Sequence, residues 1–176
     1  ASSFAALTLC TYRALKELTA LDGKVSDEDI WKERPQMSEL SRMGSGSSCR
    51  SFFAPWSVWH EDGADELALP YNDLLHIAVI ADDGKKEVSS SDAHKRVTTS
   101  DLFTGRVERA QRRLDDLVAF KSQDWKTAYE ITWAEFWDMH ALFETSKPSF
   151  GYMNANTFKV LEFIREIWKS GDGPIC

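Results

Sequence analysis

The stretch RMGSGSSCRSFF, residues 42–53, decides how this chain is read. A glycine flanked by serines lets the backbone come close to a ligand. The hydroxyls of Ser45 and Ser47, with successive backbone N–H groups, can face one concavity that suits an oxyanion. A helix beginning near Ser47 would add the attraction of its N-terminal dipole. Arg50, about one turn further on, supplies a planar fork that matches carboxylate or phosphate. The same residues also spell a polar linker with a surface arginine, since short Ser/Gly matches are common. The rest of the chain has to choose between the two.

Upstream, apolar positions at Phe4, Leu7, Leu9, Leu15, Leu18 and Leu21 predict a helix over 4–21, stopped by Asp22-Gly23, with Ser2 and Ser3 at its start. Ser26 caps a second helix, with Asp29 at the capping-box position, and Pro35 kinks or splits it before Gly44. Downstream, 51–59 and 67–81 turn aromatic, β-branched or continuously apolar ("LLHIAVIA") and predict buried strands. The punctuated segment 82–101 reads as a long loop. Three amphipathic helices follow over 104–121, 124–145 and 154–170, the middle one burying Trp125, Ile131, Phe136, Met139, Leu142 and Phe143. The expected class is α+β, with helices gathered in the second half.

Composition narrows the function. With 43% apolar residues and seven Trp, the 176-residue chain can bury a sizeable core, and the abundant Trp and Phe read first as core material. A net charge of −7 argues against a general nucleic-acid binder, which needs surplus Lys and Arg to displace counterions. No apolar run approaches the roughly 18 residues of a membrane span, and no basic-then-apolar leader is present, so a soluble, cytoplasmic protein is expected. Cys10, Cys49 and Cys176 form neither a disulfide framework nor a zinc spacing and are expected to be reduced thiols. Between Gly84 and Arg113 eight basic residues stand against four acidic ones, either a solvated helix face or a local anion-attracting field. His140, on a helix among Phe136, Trp137 and Phe143, reads as a satisfied near-core histidine rather than a catalytic one. The start at Ala1 and the unfinished "GPIC" both read as cut ends.

"ASSFAAL" opening a helix has the form of the second half of a phosphate loop, with an ordinary N-cap as the plain alternative. Together with "SELSRMGSGSSCRSFFAPWSVW" it resembles the diphosphomevalonate decarboxylase family of the GHMP kinase superfamily. That family's pattern is a Gly-Leu-Ala-Ser-Ser-Ala loop, then Gly-Ser-Gly-Ser-Ala-Cys-Arg-Ser, then a Trp. The matching positions are Ala1, Ser2 and Ser3, then Gly44 through Ser51, with Trp59 as the later tryptophan. "KKEVSSS" and "DMHALFETSKPSFGYM" extend the likeness over nearly all of the chain.

The resemblance implies a GHMP kinase fold, an N-terminal α/β domain and a ferredoxin-like C-terminal domain, with residues 1–100 in the first and 101–176 in the second. It implies ATP-dependent decarboxylation of mevalonate 5-diphosphate to isopentenyl diphosphate, with ATP and Mg2+ as cofactors and often a homodimer. By the same carry-over Ser45 and Ser47 bind the diphosphate, and Arg50 holds the carboxylate as the catalytic and substrate-binding arginine. Ser2 and Ser3 face ATP phosphates or the metal, and Ser89 lies beside the γ-phosphate. Departures from the pattern are Ser90 where bacterial relatives carry an Arg, and Asp92-Ala93 in place of Gly-Met. Lys95 or Arg96 could supply the missing charge. The family's catalytic Asp falls beyond Cys176 and is not transferred to Asp172, so the 176 residues alone are expected to be inactive. The competing expectations are a mevalonate or phosphomevalonate kinase that does not decarboxylate, and a non-catalytic GHMP relative.

Overall fold

The computed structural model describes residues 2–21, 23–71, 74–84, 86–119 and 124–171. The Asp22 half of the first stop signal and Cys176 lie outside these residues. Contacts divide the chain into two units, Ala1–Asn72 and Asp73–Cys176. Val88 and Ala93 bury themselves against Phe143 within the second unit.

In the first unit, α1 (Ser2–Thr19), α2 (Asp27–Lys32) and α3 (Arg34–Gly44) precede a hairpin of β1 (Trp56–Trp59) and β2 (Ala64–Leu67). Ser26 caps α2 as expected: its hydroxyl accepts from the Asp29 N–H at 3.1 Å and donates to the Asp29 carboxylate at 2.6 Å. Pro35 splits the predicted second helix in two, sitting in the first turn of α3 where its missing N–H leaves no bond unmade. Ala5, Ile30, Met37 and Phe52 form the core, with Leu9, Tyr12, Val25 and Phe53 packed on it. The hairpin is antiparallel in register Trp56↔Leu67 to Trp59↔Ala64, closed where the His60 N–H donates to the Gly63 carbonyl at 3.1 Å.

The second unit holds α4 (Ser90–Arg96), α5 (Arg106–Ala119), α6 (Trp125–Thr145) and α7 (Ala155–Ser170). The three long helices match their amphipathic patterns. Asn154 caps α7 in a reciprocal box with Thr157, and Gly171 closes it at φ 75°, the left-handed conformation glycine adopts without a Cβ penalty. Along α6 and α7 the aromatic residues form a ladder rather than a fully buried core. Tyr129 stacks on Trp168 at 4.0 Å, and edge contacts run through Trp133, Trp137, Phe136, His140 and Phe143 to Phe150. Met139, expected inside, is exposed.

Three expectations fail. The run at 74–81 is not a buried strand: Leu75 is 89% and Ile80 81% exposed, and no ladder forms there among the described residues. Only 56–59 of the first predicted strand pairs, and its partner is 64–67 rather than the second predicted strand. A strand is made by a neighbour that takes its N–H and C=O groups, and composition cannot supply one. The segment 82–101 is not a loop throughout. Ser89 caps α4, and Ala93 carries the helix onto Phe143.

Candidate functional site

Residues 42–53 span the end of α3, a turn, and a short 3-10 helix over Ser48–Phe52 for which Ser47 is the N-cap residue. Its scaffold is an uncharged core of small polar groups. Ser38, Ser41, Ser48 and Cys49 are all buried. The Ser41 and Ser48 hydroxyls bond each other, Ser48 Oγ also contacts the Ser45 carbonyl at 2.7 Å, and Ser38 Oγ donates to the Cys49 carbonyl at 3.1 Å. Backbone bonds from Ser45 N to the Ser41 carbonyl and from Ser48 N to the Ser45 carbonyl lock the turn. Each buried hydroxyl therefore has a partner, as its burial demands. Cys49 is a free thiol inside this core and Cys10 a free thiol on the surface.

The turn meets the start of α1. Gly44 lies so close to Phe4 that a Cβ there would stand 2.5 Å from the ring. Ser2 and Ser3 are exposed in the first turn of an 18-residue helix with no acidic residue to neutralise its positive end. The structure thus brings the helix start carrying Ser2 and Ser3 against the turn carrying Ser45 and Ser47, which the sequence separates by about forty residues. Both Ser45 and Ser47 are half-buried.

Arg50 is exposed. Among the described residues its one partner is the Trp59 ring, 5.5 Å from the guanidinium carbon to the ring centroid. Arg42 reaches the same ring at 5.6 Å and donates Nη1 to the His60 carbonyl. Arg42 is the residue that sequence reasoning missed. Its only signal was a second cation eight positions before Arg50 in the same stretch.

Ser89 belongs to the second unit, where its hydroxyl accepts from the Asp92 N–H at 3.1 Å and donates to the Asp92 carboxylate at 2.7 Å as the cap of α4. In the same unit Arg106, Arg109 and Arg113 converge on Glu135 and Asp138, with Arg113 to Asp138 at 2.7 Å and Arg109 to Asp138 at 2.9 Å. Hydrogen bonds, first from Arg109 and then from Arg113, hold the Asp138 carboxyl down to about 2 against the cost of burial. Three of the eight basic residues counted in the sequence are therefore spent on internal pairs, neither solvating a face nor offering a field. His140 is half-buried against Phe136 and Phe143, and burial lowers its pKa. It lines a cavity of about 520 Å³ together with Lys86, His94, Arg106, Met139 and Tyr152. Among the described residues, no group of three or more His, Cys, Asp or Glu could hold a metal, and no helix is long and apolar enough to cross a membrane.

Comparison with known proteins defines the class. The fold is that of the GHMP-type mevalonate diphosphate decarboxylases: the crystal structure of the Legionella pneumophila enzyme superposes with a TM-score of 0.80, at 44% identity, over 97% of this chain and 52% of that one. An α+β fragment of that architecture is what the sequence predicts. The family models described as "Diphosphomevalonate decarboxylase-like N-terminal domain" and "Mevalonate 5-diphosphate decarboxylase C-terminal domain" match residues 1–70 and 76–173. The chain belongs to the diphosphomevalonate decarboxylase family. It is 32% identical over 147 residues to the Debaryomyces hansenii diphosphomevalonate decarboxylase, covering 76% of this chain and 38% of that protein. It is 30% identical over 152 residues to the one from Candida albicans, covering 79% and 42%. The chain thus spans about two fifths of the length of these relatives. A solved structure described as "MDDEF in complex with MVAPP, AMPPCP and Magnesium" shares the fold at a TM-score of 0.63 and 20% identity.

Proposed function

We propose that this chain is part of an enzyme that uses ATP to decarboxylate mevalonate 5-diphosphate to isopentenyl diphosphate, and that the turn at 44–50 holds the substrate. The observation that carries this reading is Arg50, an exposed guanidinium with no hydrogen bond or ion pair among the described residues, beside an uncharged Ser-Gly turn in a member of the decarboxylase family. Its N–H donors are free for a carboxylate, and Ser45 and Ser47 supply hydroxyls for the diphosphate. Similarity to proteins named as decarboxylases supports this reading over a kinase that stops at phosphorylation.

The chemistry asks for orientation. Phosphorylation turns the tertiary hydroxyl into a leaving group. The carbon–oxygen bond then breaks with its electron pair going to phosphate, and the carbon–carbon bond to the carboxylate breaks to release carbon dioxide and form the double bond. An arginine fork on the carboxylate fixes which bond lies in line for cleavage, the kind of positioning whose loss costs about 100-fold. Magnesium ATP would bring the phosphoryl group. The start of α1, with no acidic residue in its first turn, and the Ser2 and Ser3 hydroxyls fit its phosphates, and those hydroxyls would help hold the metal. Ser89 would contribute at the γ-phosphate from the cap of α4. A cytoplasmic location and a homodimer complete the reading.

The test uses the protein at its full natural length with magnesium ATP and mevalonate 5-diphosphate, following ADP and carbon dioxide together. Equal release of both is expected, and Arg50→Ala should lower kcat/KM by about 100- to 1,000-fold. ADP without carbon dioxide would make the protein a kinase. Release of neither would make it a non-catalytic relative.

A further inference from the structure

We propose that Trp59 is the positioning residue of the Arg50 site, and that Arg42 is a second cation gathered on the same ring to favour an anionic ligand. The inference rests on the reading above that Arg50 grips the substrate carboxylate, and it adds what holds that grip in place. Arg50 stands on a five-residue 3-10 helix with its side chain in solvent. A long side chain so placed has many rotamers to lose on binding. What restricts it is the face of Trp59, at 5.5 Å. A cation–π contact takes no hydrogen-bond acceptor, and the guanidinium donors of Arg50 have no hydrogen-bond partner among the described residues. An ion pair to a carboxylate would have held the arginine equally still but would have consumed the donors.

Trp59 is itself fixed. It ends β1 opposite Ala64, next to the turn closed by His60 and Gly63. The same ring faces Gly46, where a Cβ would lie 3.7 Å from it, so one side chain touches both the serine turn and the arginine. Arg42 stands at 5.6 Å from that ring, tethered to the His60 carbonyl. Neither arginine has a carboxylate partner among the described residues, and two uncompensated cations sharing one ring raise the local positive potential. An anion relieves that repulsion and a neutral ligand does not. Trp59 and Arg42 therefore act through Arg50: one sets its direction, the other its preference for charge.

The experiment is a double-mutant cycle in the full-length protein, with Trp59→Leu, Trp59→Phe, Arg50→Ala and the double variant Trp59→Leu/Arg50→Ala. Trp59→Leu should lower kcat/KM for mevalonate 5-diphosphate by about 2- to 5-fold, the size of an exposed cation–π contact. The KM for ATP and the thermal midpoint should stay unchanged, and Trp59→Phe should recover most of the loss. In the Arg50→Ala background the same Trp59 change should cost less than about 2-fold, because nothing remains to be positioned. Wild-type kinetics in Trp59→Leu would overturn the inference, as would an undiminished loss in the Arg50→Ala background or an equal loss on ATP. If the wild-type protein neither turns over nor binds mevalonate 5-diphosphate, the functional reading fails separately. The same proteins titrated with inorganic pyrophosphate then decide the stack: parallel weakening in Trp59→Leu and Arg50→Ala carries it, and equal affinity across all of them overturns it.

Discussion

Two groups of arginines in this molecule meet opposite fates. Arg106, Arg109 and Arg113 are spent inside the second unit, where all three guanidinium groups pair with two carboxylates. Arg42 and Arg50 stand on the first unit with no carboxylate partner among the described residues and share an aromatic ring instead. The first arrangement ties helices together. The second keeps donors in hand. Local composition does not separate them, since both sit in stretches that read as basic and polar. What separates them is whether a neighbouring element brings an acid, and only tertiary structure shows that.

The sharpest way to break the comparison is to remove the acid. Asp138→Ala should destabilise the protein by about 3 kcal/mol, because it strands partly buried guanidinium groups without their counter-charge. Arg50→Ala should move stability by less than ~0.5 kcal/mol while abolishing most activity. Urea unfolding of both variants checks the pair, and equal destabilisation would erase the distinction. The acid side of the titration sharpens it. A carboxyl held at about 2 in the folded state, against an ordinary value near 3.9, contributes stability that is present above the unfolded value. That stability, on the order of 2 kcal/mol, is lost as pH falls from about 4 through about 2. Asp138→Asn should flatten that slope.

The next effect tests the contact that joins the two halves of the candidate site. Gly44→Ala places a methyl group 2.5 Å from the Phe4 ring, so the ring, α1 or the turn must shift. A loss of about 1–3 kcal/mol is expected from such overpacking. Unlike a merely structural change, this one should also weaken ATP use, since Ser2 and Ser3 ride on the same helix turn. Phe4→Leu in the Gly44→Ala background should restore part of both.

A smaller effect belongs to the uncharged core under the turn. Ser48→Ala leaves the Ser41 hydroxyl without its buried partner and should cost about 1–2 kcal/mol. The double change Ser41→Ala/Ser48→Ala should cost less than the sum of the two singles, because the second removes a group that the first had already orphaned.

These contrasts also show how far the sequence could be read. Helix pattern and caps were legible: Ser26 and Pro35 act through their immediate neighbours, and each boundary lies where those local rules put it. The Ser-Gly turn and its arginine were legible as residue types suited to an anion, and the helix at Ser48 begins next to the expected Ser47. The apolar run at 74–81 was not legible, because a strand exists only where another supplies hydrogen bonds, and Leu75 and Ile80 find none among the described residues. Arg42 was hidden for a related reason. Its meeting with Arg50 depends on the hairpin that returns Trp59 to the end of α3, a tertiary event with no local mark.

The weakest prediction concerns the ionisable group that belongs to neither arrangement. His140 is half-buried against the Phe136 and Phe143 rings with no ion pair among the described residues to hold a proton on it, and burial lowers its pKa below the ordinary 6.5. The sign is opposite to that of a paired histidine. Above the unfolded value both states are neutral and the residue is indifferent to pH. As pH falls below about 6.5, the unfolded chain takes the proton more readily and stability declines, until the folded-state value is reached. Glu144 partly offsets this decline. Unfolding midpoints across that range should fall in the wild-type protein and stay level in His140→Phe, which keeps the ring contacts and removes the titration. A slope that survives in His140→Phe would assign the effect to another histidine, and a rising midpoint would mean that the imidazolium finds a partner after all, placing His140 with the arginines of the second unit rather than with its aromatic ladder.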